Sequence, residues 1–407
     1  GQLNKSEKLC IKIKKKEPNN FQNLNLLGII LFQKKDFNES IRLMKNSIEI
    51  NPNQAETNNN LGLMLIQLKQ YDDAIKYLKN TIKINPNFFE AYNNLGIAFK
   101  EINKYSEAIN QWKKAITLNS RNINAYNNIG NVLMETGKEI NAIEYYQQAI
   151  KINNKYYTAY FNLGNAYQKL NLLKQSIINY DNAIKLKADY AEAYYNRANS
   201  FRDLNLLDKA LNDYKSAYKI NPNLENLRGN IITTKNYICD WNGFNEDLLF
   251  IENEVEKNKT VIDPFSSLSI INSPSIQKKI AFLHGSYFKK KINKFNYKNK
   301  KNSKIKLGYY SSDFNNHPVS HLIAGMFEEH DKSKFELYAF SLNSSRNDEM
   351  TKRLSSAFDH FIDVSSKTNE EIVEHSRKLN IDIAIDLMGF TKLNRFEIFL
   401  QKCAPIQ

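Results

Sequence analysis

Cysteine is scarce: Cys10, Cys239 and Cys403 are the only three in 407 residues. They stand far apart and match no metal-ligand or redox spacing, so they fit a reducing compartment and supply no metal site. Long apolar runs are missing too. The longest, such as Leu26 to Phe32, fall far short of a membrane span. No charged, apolar and cleavage pattern of a signal peptide opens the chain. These absences predict a cytoplasmic protein with no membrane partner and no metal. No Gly-x-Gly-x-x-Gly follows a predicted strand, which leaves a dinucleotide site unsupported. Acids are outnumbered, 43 against 57 Lys and Arg, for a net charge of +14.

A basic chain raises nucleic acid as a partner. However, the sequence is rich in Lys, Asn and Ile, whose codons are A/T-rich. The densest basic run, Lys289 to Lys306, has no nucleic-acid fold around it and reads as a solvated linker. Nucleic acid is therefore disfavoured. With 42% apolar and 25% charged residues the balance is globular, and the length predicts two or three units.

What the chain has is repetition. Gly28, Gly62, Gly96, Gly130 and Gly164 step by 34, with Ala198 in the next place. A proline phase runs Pro18, Pro52, Pro86 and Pro222, with Ser120, Asn154 and Ala188 between. Small residues recur at Ser40, Ala74, Ala108, Ala142, Ser176 and Ala210, and again from Ser47 to Ala217. Large ones recur at Leu78, Trp112, Tyr146, Tyr180 and Tyr214. This is the tetratricopeptide pattern: paired antiparallel helices, small residues where helices cross, large ones filling gaps. Six full repeats are expected within residues 1–224, behind a helix left from an earlier one. The chain starts at Gly1 and stops at Gln407 after an apolar helix, and both ends read as cut.

One column is not demanded by packing. Two residues before each glycine position stand Asn60, Asn94, Asn128, Asn162 and Asn196, with Asn230 one step on. Asparagine is a middling helix former, but its amide can bond both C=O and N–H of an extended peptide. Six exposed amides in a row predict a ladder that holds a polypeptide backbone without reading its sequence. General asparagine richness, visible in Asn59, Asn93 and Asn127, is the alternative.

After Pro222 the repeat fades into a helical connector, residues 225–303, with Asp263-Pro264 and Ser273-Pro274 as breakers. From residue 304 to 407 the pattern becomes β–α. Strands are predicted at 305–311, 335–342, 360–364 and 381–387, and helices at 319–330, 348–358, 369–379 and 396–403. Four such units imply a parallel sheet whose strand ends share one edge. That edge would join a loop with Asp313, Asn316 and His317 to one with Asp386, Gly389, Phe390 and Thr391, and ligands bind there in open α/β sheets.

The repeat array, the CDW of Cys239–Trp241, GYYSSDFNNHPVSHL, the DLMGFT of Asp386–Thr391 and CAPIQ at Cys403–Gln407 resemble the protein O-linked N-acetylglucosamine transferases. The SPINDLY-type and bacterial members of glycosyltransferase family 41 look nearest. The resemblance implies an α-solenoid of tetratricopeptide repeats followed by the first Rossmann-like lobe of a GT-B fold. It implies inverting, metal-independent transfer from UDP-GlcNAc to Ser or Thr hydroxyls of extended polypeptides, with no other cofactor. It places a second, donor-binding lobe after Gln407, so that the 407 residues alone do not transfer sugar. His317 takes the motif histidine near the acceptor, and the asparagine column matches the family's peptide-holding ladder. Phe390 stands where relatives often carry His or Tyr. Some relatives transfer other sugars, which leaves the donor open.

For His317 the expected role is to orient or deprotonate the acceptor hydroxyl, since an imidazole titrates near working pH. Asp313 either orients it or caps the loop. His321 is expected to support the loop, Asp386 to bond backbone N–H groups, and Gly389 to serve a turn or a close approach. Thr391 completes the acceptor-side set. His284 is expected to be solvated or structural. A non-catalytic peptide-binding scaffold is the alternative function, and oligomers through the repeats are left open.

Overall fold

The computed structural model describes residues 2–289, 302–344, 348–391 and 394–407. Most of the basic run expected as a linker lies outside these. The chain divides into two compact units, Gly1–Leu224 and Glu225–Gln407.

The first unit opens with α1 (Gln2–Lys16) and continues as six helix pairs: α2/α3 (Phe21–Gln33, Phe37–Ile50), α4/α5 (Ala55–Gln67, Tyr71–Ile84) and α6/α7 (Phe89–Glu101, Tyr105–Leu118). Then come α8/α9 (Ile123–Glu135, Glu139–Ile152), α10/α11 (Tyr157–Lys169, Leu173–Leu186) and α12/α13 (Ala191–Asp203, Leu207–Ile220). The repeating residues explain the stacking. Ala74, Ala108, Ala142 and Ala210 are fully buried where helices cross, and Trp112, Tyr146, Tyr180 and Tyr214 are the largest side chains wholly inside. A Cβ at Gly96 would sit 2.4 Å from Trp112 Nε1, and one at Gly130 2.5 Å from the Tyr146 ring. Those glycines exist so that a large ring can lie against the helix backbone.

Each pair turns through one left-handed residue. Lys35, Lys69, Asn103, Gly137, Asn171 and Asn205 have φ of 67°, 60°, 60°, 71°, 58° and 59°. This ends the first helix of each repeat in the manner favoured by Gly and Asn.

The second unit begins with α14 (Leu227–Tyr237), α15 (Phe244–Glu256), α16 (Pro264–Ile270) and α17 (Pro274–Lys289). They enclose Ile232, Ile251, Val255, Ile262, Ile270, Ile271 and Ile280. Asp263-Pro264, expected to break structure, starts a helix: Asp263 accepts the Ser266 N–H at 2.8 Å and Pro264 fills the first turn.

The β–α region follows as β1 (Ile305–Ser311), α18 (Pro318–Glu328), β2 (Phe335–Ser341), α19 (Glu349–Ala357), β3 (His360–Asp363), α20 (Asn369–Lys378), β4 (Ile383–Asp386) and α21 (Glu397–Leu400). The sheet is wholly parallel in the order β3-β2-β1-β4. One face packs on Ala324, Phe327, Leu354 and Phe358, the other on Ile372, Val373, Ile398 and Cys403. With both faces covered, β1 and β2 are almost continuously buried. The last helix is shorter than predicted, because Lys402 turns left-handed at φ 56°. The fold class is thus a tetratricopeptide solenoid followed by a parallel-sheet lobe.

Candidate functional site

The C-terminal ends of β1 and β4 lie side by side, with Leu387 N–H donating to the Tyr310 carbonyl at 3.1 Å. Met388 joins the two following loops, its sulfur taking the Ser311 hydroxyl at 3.5 Å and the Ser312 N–H at 3.3 Å. The edge therefore carries both predicted loops. Met388 stands inside the DLMGFT motif, but nothing in the sequence showed that its sulfur joins the two loops.

In the first loop His317 is the N-cap of α18. Its Nδ1 accepts the Val319 N–H at 3.3 Å, and Pro318 occupies the first turn. Asp313 Oδ2 lies 3.5 Å from the same nitrogen. One Nδ1 cannot accept the backbone proton and donate to a carboxylate at once. The cap therefore puts the imidazole proton on Nε2, whereas a hydrogen bond to Asp313 would free Nε2 as a base. The backbone of Asp313 holds the loop: its N–H donates to Ser311 Oγ at 3.0 Å and its carbonyl accepts the Ser320 hydroxyl. His321 Nε2 pairs with Asn316 Oδ1 at 2.8 Å on an exposed face. Asn316 N–H donates to Asp348 Oδ2 at 3.0 Å, and Thr351 Oγ1 donates to the Phe314 carbonyl at 3.1 Å. These ties to α19 were not readable, since the partners are 32 and 37 residues away. The Asn316 N–H and the Thr351 N–H, which donates to Asp348 Oδ1 at 2.8 Å, hold the Asp348 carboxyl below the usual carboxylate range.

In the second loop Asp386 accepts the Met388 N–H at 2.8 Å, and burial pushes its carboxyl pKa up. Gly389 has φ 55°, so turn geometry accounts for it. Thr391 Oγ1 donates to the Met388 carbonyl at 2.8 Å and closes the turn. Phe390 meets His284 of α17 edge-on at 5.5 Å and Phe396 at 5.4 Å. His284 is half-buried there, and desolvation lowers its pKa. The connector thus touches the β4 loop, which the sequence did not show. Among the described residues no group of three or more His, Cys, Asp or Glu is placed to hold a metal.

The asparagine column lies in the other unit, and it is not simply exposed. Asn94 is 8% exposed, while Asn60, Asn128, Asn162 and Asn196 are half-buried. Asn94 Nδ2 donates to Asn59 Oδ1 at 3.0 Å, Asn162 Nδ2 to Asn127 and Asn131 at 2.9 and 3.1 Å, and Asn196 Nδ2 to Asn165 at 2.8 Å. The column therefore has a structural share, tying the third, fifth and sixth repeats each to the one before. Among the described residues the Oδ1 atoms of Asn94, Asn162 and Asn196 accept nothing, and the Asn60 and Asn128 side chains make no hydrogen bond. Asn230, in the second unit, is engaged elsewhere.

Residues 238–407 match the profile of Glycosyl transferase family 41. Tetratricopeptide profiles match 62–103, 98–137, 140–171, 157–190 and 191–224. Residues 1–81, within the same array, match that of Anaphase-promoting complex, cyclosome, subunit 3. The C-terminal segment is thus similar to glycosyltransferase family 41 and follows a tetratricopeptide array. A probable UDP-N-acetylglucosamine–peptide N-acetylglucosaminyltransferase SEC of Arabidopsis thaliana is 39% identical over 104 residues, 26% of this chain and 11% of that protein. A UDP-N-acetylglucosamine–peptide N-acetylglucosaminyltransferase of Caenorhabditis elegans is 30% identical over 189 residues, 42% of this chain and 16% of that one. The chain thus spans only 11–16% of the length of these relatives. Among solved structures, a Thermobaculum terrenum O-GlcNAc transferase mutant aligns over 70% of this chain and 49% of its own, at 18% identity and TM-score 0.39.

Proposed function

We propose that this chain is the substrate-presenting and acceptor-side part of a protein O-GlcNAc transferase. The observation that carries the reading is the join itself: a family 41 segment in one chain with a repeat array whose column of amides keeps acceptor oxygens unused. Extended Ser- or Thr-containing polypeptide lies along the array, its backbone N–H groups donating to Oδ1 of Asn94, Asn162 and Asn196 and its carbonyls accepting from Asn60 and Asn128. The donor is UDP-GlcNAc, and the compartment is the cytoplasm. Transfer is inverting and needs no metal: the hydroxyl oxygen attacks the anomeric carbon, the diphosphate leaves with the bonding pair, and the hydroxyl proton passes to a base. His317 serves that base role when its Nδ1 proton is turned to Asp313, leaving Nε2 to accept. Asp386, Gly389 and Thr391 shape the neighbouring loop.

The cap bond of His317 to Val319 favours a second reading, in which the segment is a docking module and the chain a peptide-binding scaffold. The discriminating experiment follows radiolabelled sugar from UDP-GlcNAc into a Ser/Thr polypeptide, using the product of the complete open reading frame. Incorporation supports the transferase; peptide binding without incorporation supports the scaffold.

A further inference from the structure

Three places after the ladder position (Leu26 in the first repeat, asparagine in the next five) runs another column, and it changes character midway. It reads Ile29, Leu63 and Ile97 in the first three repeats and Asn131, Asn165 and Asn199 in the last three. The column of large residues changes at the same repeat, from Met44, Leu78 and Trp112 to Tyr146, Tyr180 and Tyr214. The structure couples the two. The hydroxyls of Tyr146, Tyr180 and Tyr214 donate to Oδ1 of Asn131, Asn165 and Asn199 at 2.8, 2.7 and 2.6 Å. A buried ring must place its hydroxyl on a partner. Packing alone does not demand the pair, because Leu63 and Leu78 occupy the same two positions without polar atoms.

The new column shares a surface with the ladder, since Asn162 and Asn196 donate to Asn131 and Asn165 across the repeat junctions. Each of these oxygens is taken, yet the Nδ2 groups of Asn131, Asn165 and Asn199 donate to nothing among the described residues. Between the fourth and fifth repeats a cavity of about 250 Å³ opens, lined by Asn131, Met134, Glu135, Tyr146, Asn162 and Asn165. That is below the range of small-molecule sites and suits one side chain.

We propose that the array takes a bipartite polypeptide. Aliphatic side chains lie over the first three repeats, and amide or hydroxyl side chains (Asn, Gln, Ser, Thr) over the last three. One of the polar side chains enters the cavity, accepts from Asn131 and Asn165 and donates to Asn162 Oδ1. The inference rests on the ladder holding the backbone; it adds that side chains are read as well.

The test is fluorescence anisotropy of the 407-residue chain with three labelled peptides of equal length: aliphatic then polar, polar then aliphatic, and wholly polar. One bipartite order should bind about tenfold tighter than the other two peptides. The variant Asn131→Leu, Tyr146→Phe, Asn165→Leu, Tyr180→Phe should lose that preference to within about twofold. It removes both partners of the two tyrosine–asparagine bonds and so orphans no hydroxyl, while Asn162 and Asn196 each lose an acceptor. Leu63→Asn with Ile97→Asn should reduce the preference from the other end, which keeps the test open if the first variant fails to fold. Equal affinity for both orders overturns the bipartite reading and leaves the ladder standing. Binding of none of the three overturns both.

Discussion

Nδ1 of His317 lies 3.5 Å from Asp313 Oδ2 while accepting the Val319 N–H at 3.3 Å, so one nitrogen serves a helix start and faces a carboxylate. The two uses require different tautomers. Asparagine is a strong N-cap and has no imidazole, so His317→Asn separates them. It should leave the melting temperature nearly unchanged and slow sugar transfer by the open-reading-frame product about 100-fold or more. Transfer that survives in His317→Asn but falls in His317→Ala would make the residue a cap only. Asp313→Asn should slow transfer without changing peptide affinity, because Asp313 acts through the imidazole.

Asn128 makes no side-chain hydrogen bond among the described residues, whereas Asn162 makes two. Asn128→Ala should therefore weaken peptide binding with no loss of stability. Asn162→Ala should do both, costing about 1 kcal/mol for each bond removed. Anisotropy and thermal melts on the same samples check the pair. Unchanged binding in Asn128→Ala would make the column structural throughout.

The 34-residue step was legible because the glycines and crossing alanines are local requirements of packing, written at fixed positions. The β–α alternation was legible for the same reason, and β1 falls at Ile305–Ser311 as its apolar run predicts. What stayed hidden depends on distant partners. Nothing near Asn162 announces its bond to Asn131, and nothing near Phe390 announces His284. The ladder was expected to be exposed; its half-burial follows from how closely successive repeats stack.

The turn column was visible only in part. Asn103, Gly137, Asn171 and Asn205 suit a left-handed residue, but Lys35 and Lys69 hide the same geometry at φ 67° and 60°. A side chain in that region costs roughly 1–2 kcal/mol, partly offset by the greater chain entropy lost by glycine. Lys69→Gly should raise stability by about 0.5–1 kcal/mol, and Asn103→Ala should lower it by a similar amount. Urea titrations would show both; a destabilised Lys69→Gly would contradict the assigned turn.

Cysteine reactivity should split sharply. Cys239 is exposed, while Cys10 and Cys403 are buried. Burial pushes the Cys10 thiol up and that of Cys403 up to about 12. A raised thiol pKa leaves little thiolate at about pH 8, and the thiolate is the reactive form. A chromogenic disulfide reagent should titrate one thiol rapidly in the native chain and all three after denaturation. Three fast thiols in the native protein would contradict the packing of α1 and of the segment after α21.

The most direct measurement is radiolabelled N-acetylglucosamine incorporation from UDP-GlcNAc into an extended Ser/Thr polypeptide by the open-reading-frame product, with and without Asn128→Ala and His317→Asn. The expected result is robust incorporation, a raised KM for polypeptide with Asn128→Ala, and a depressed kcat with His317→Asn. Absence of incorporation by a product that still binds the polypeptide would contradict the transferase reading and leave a scaffold.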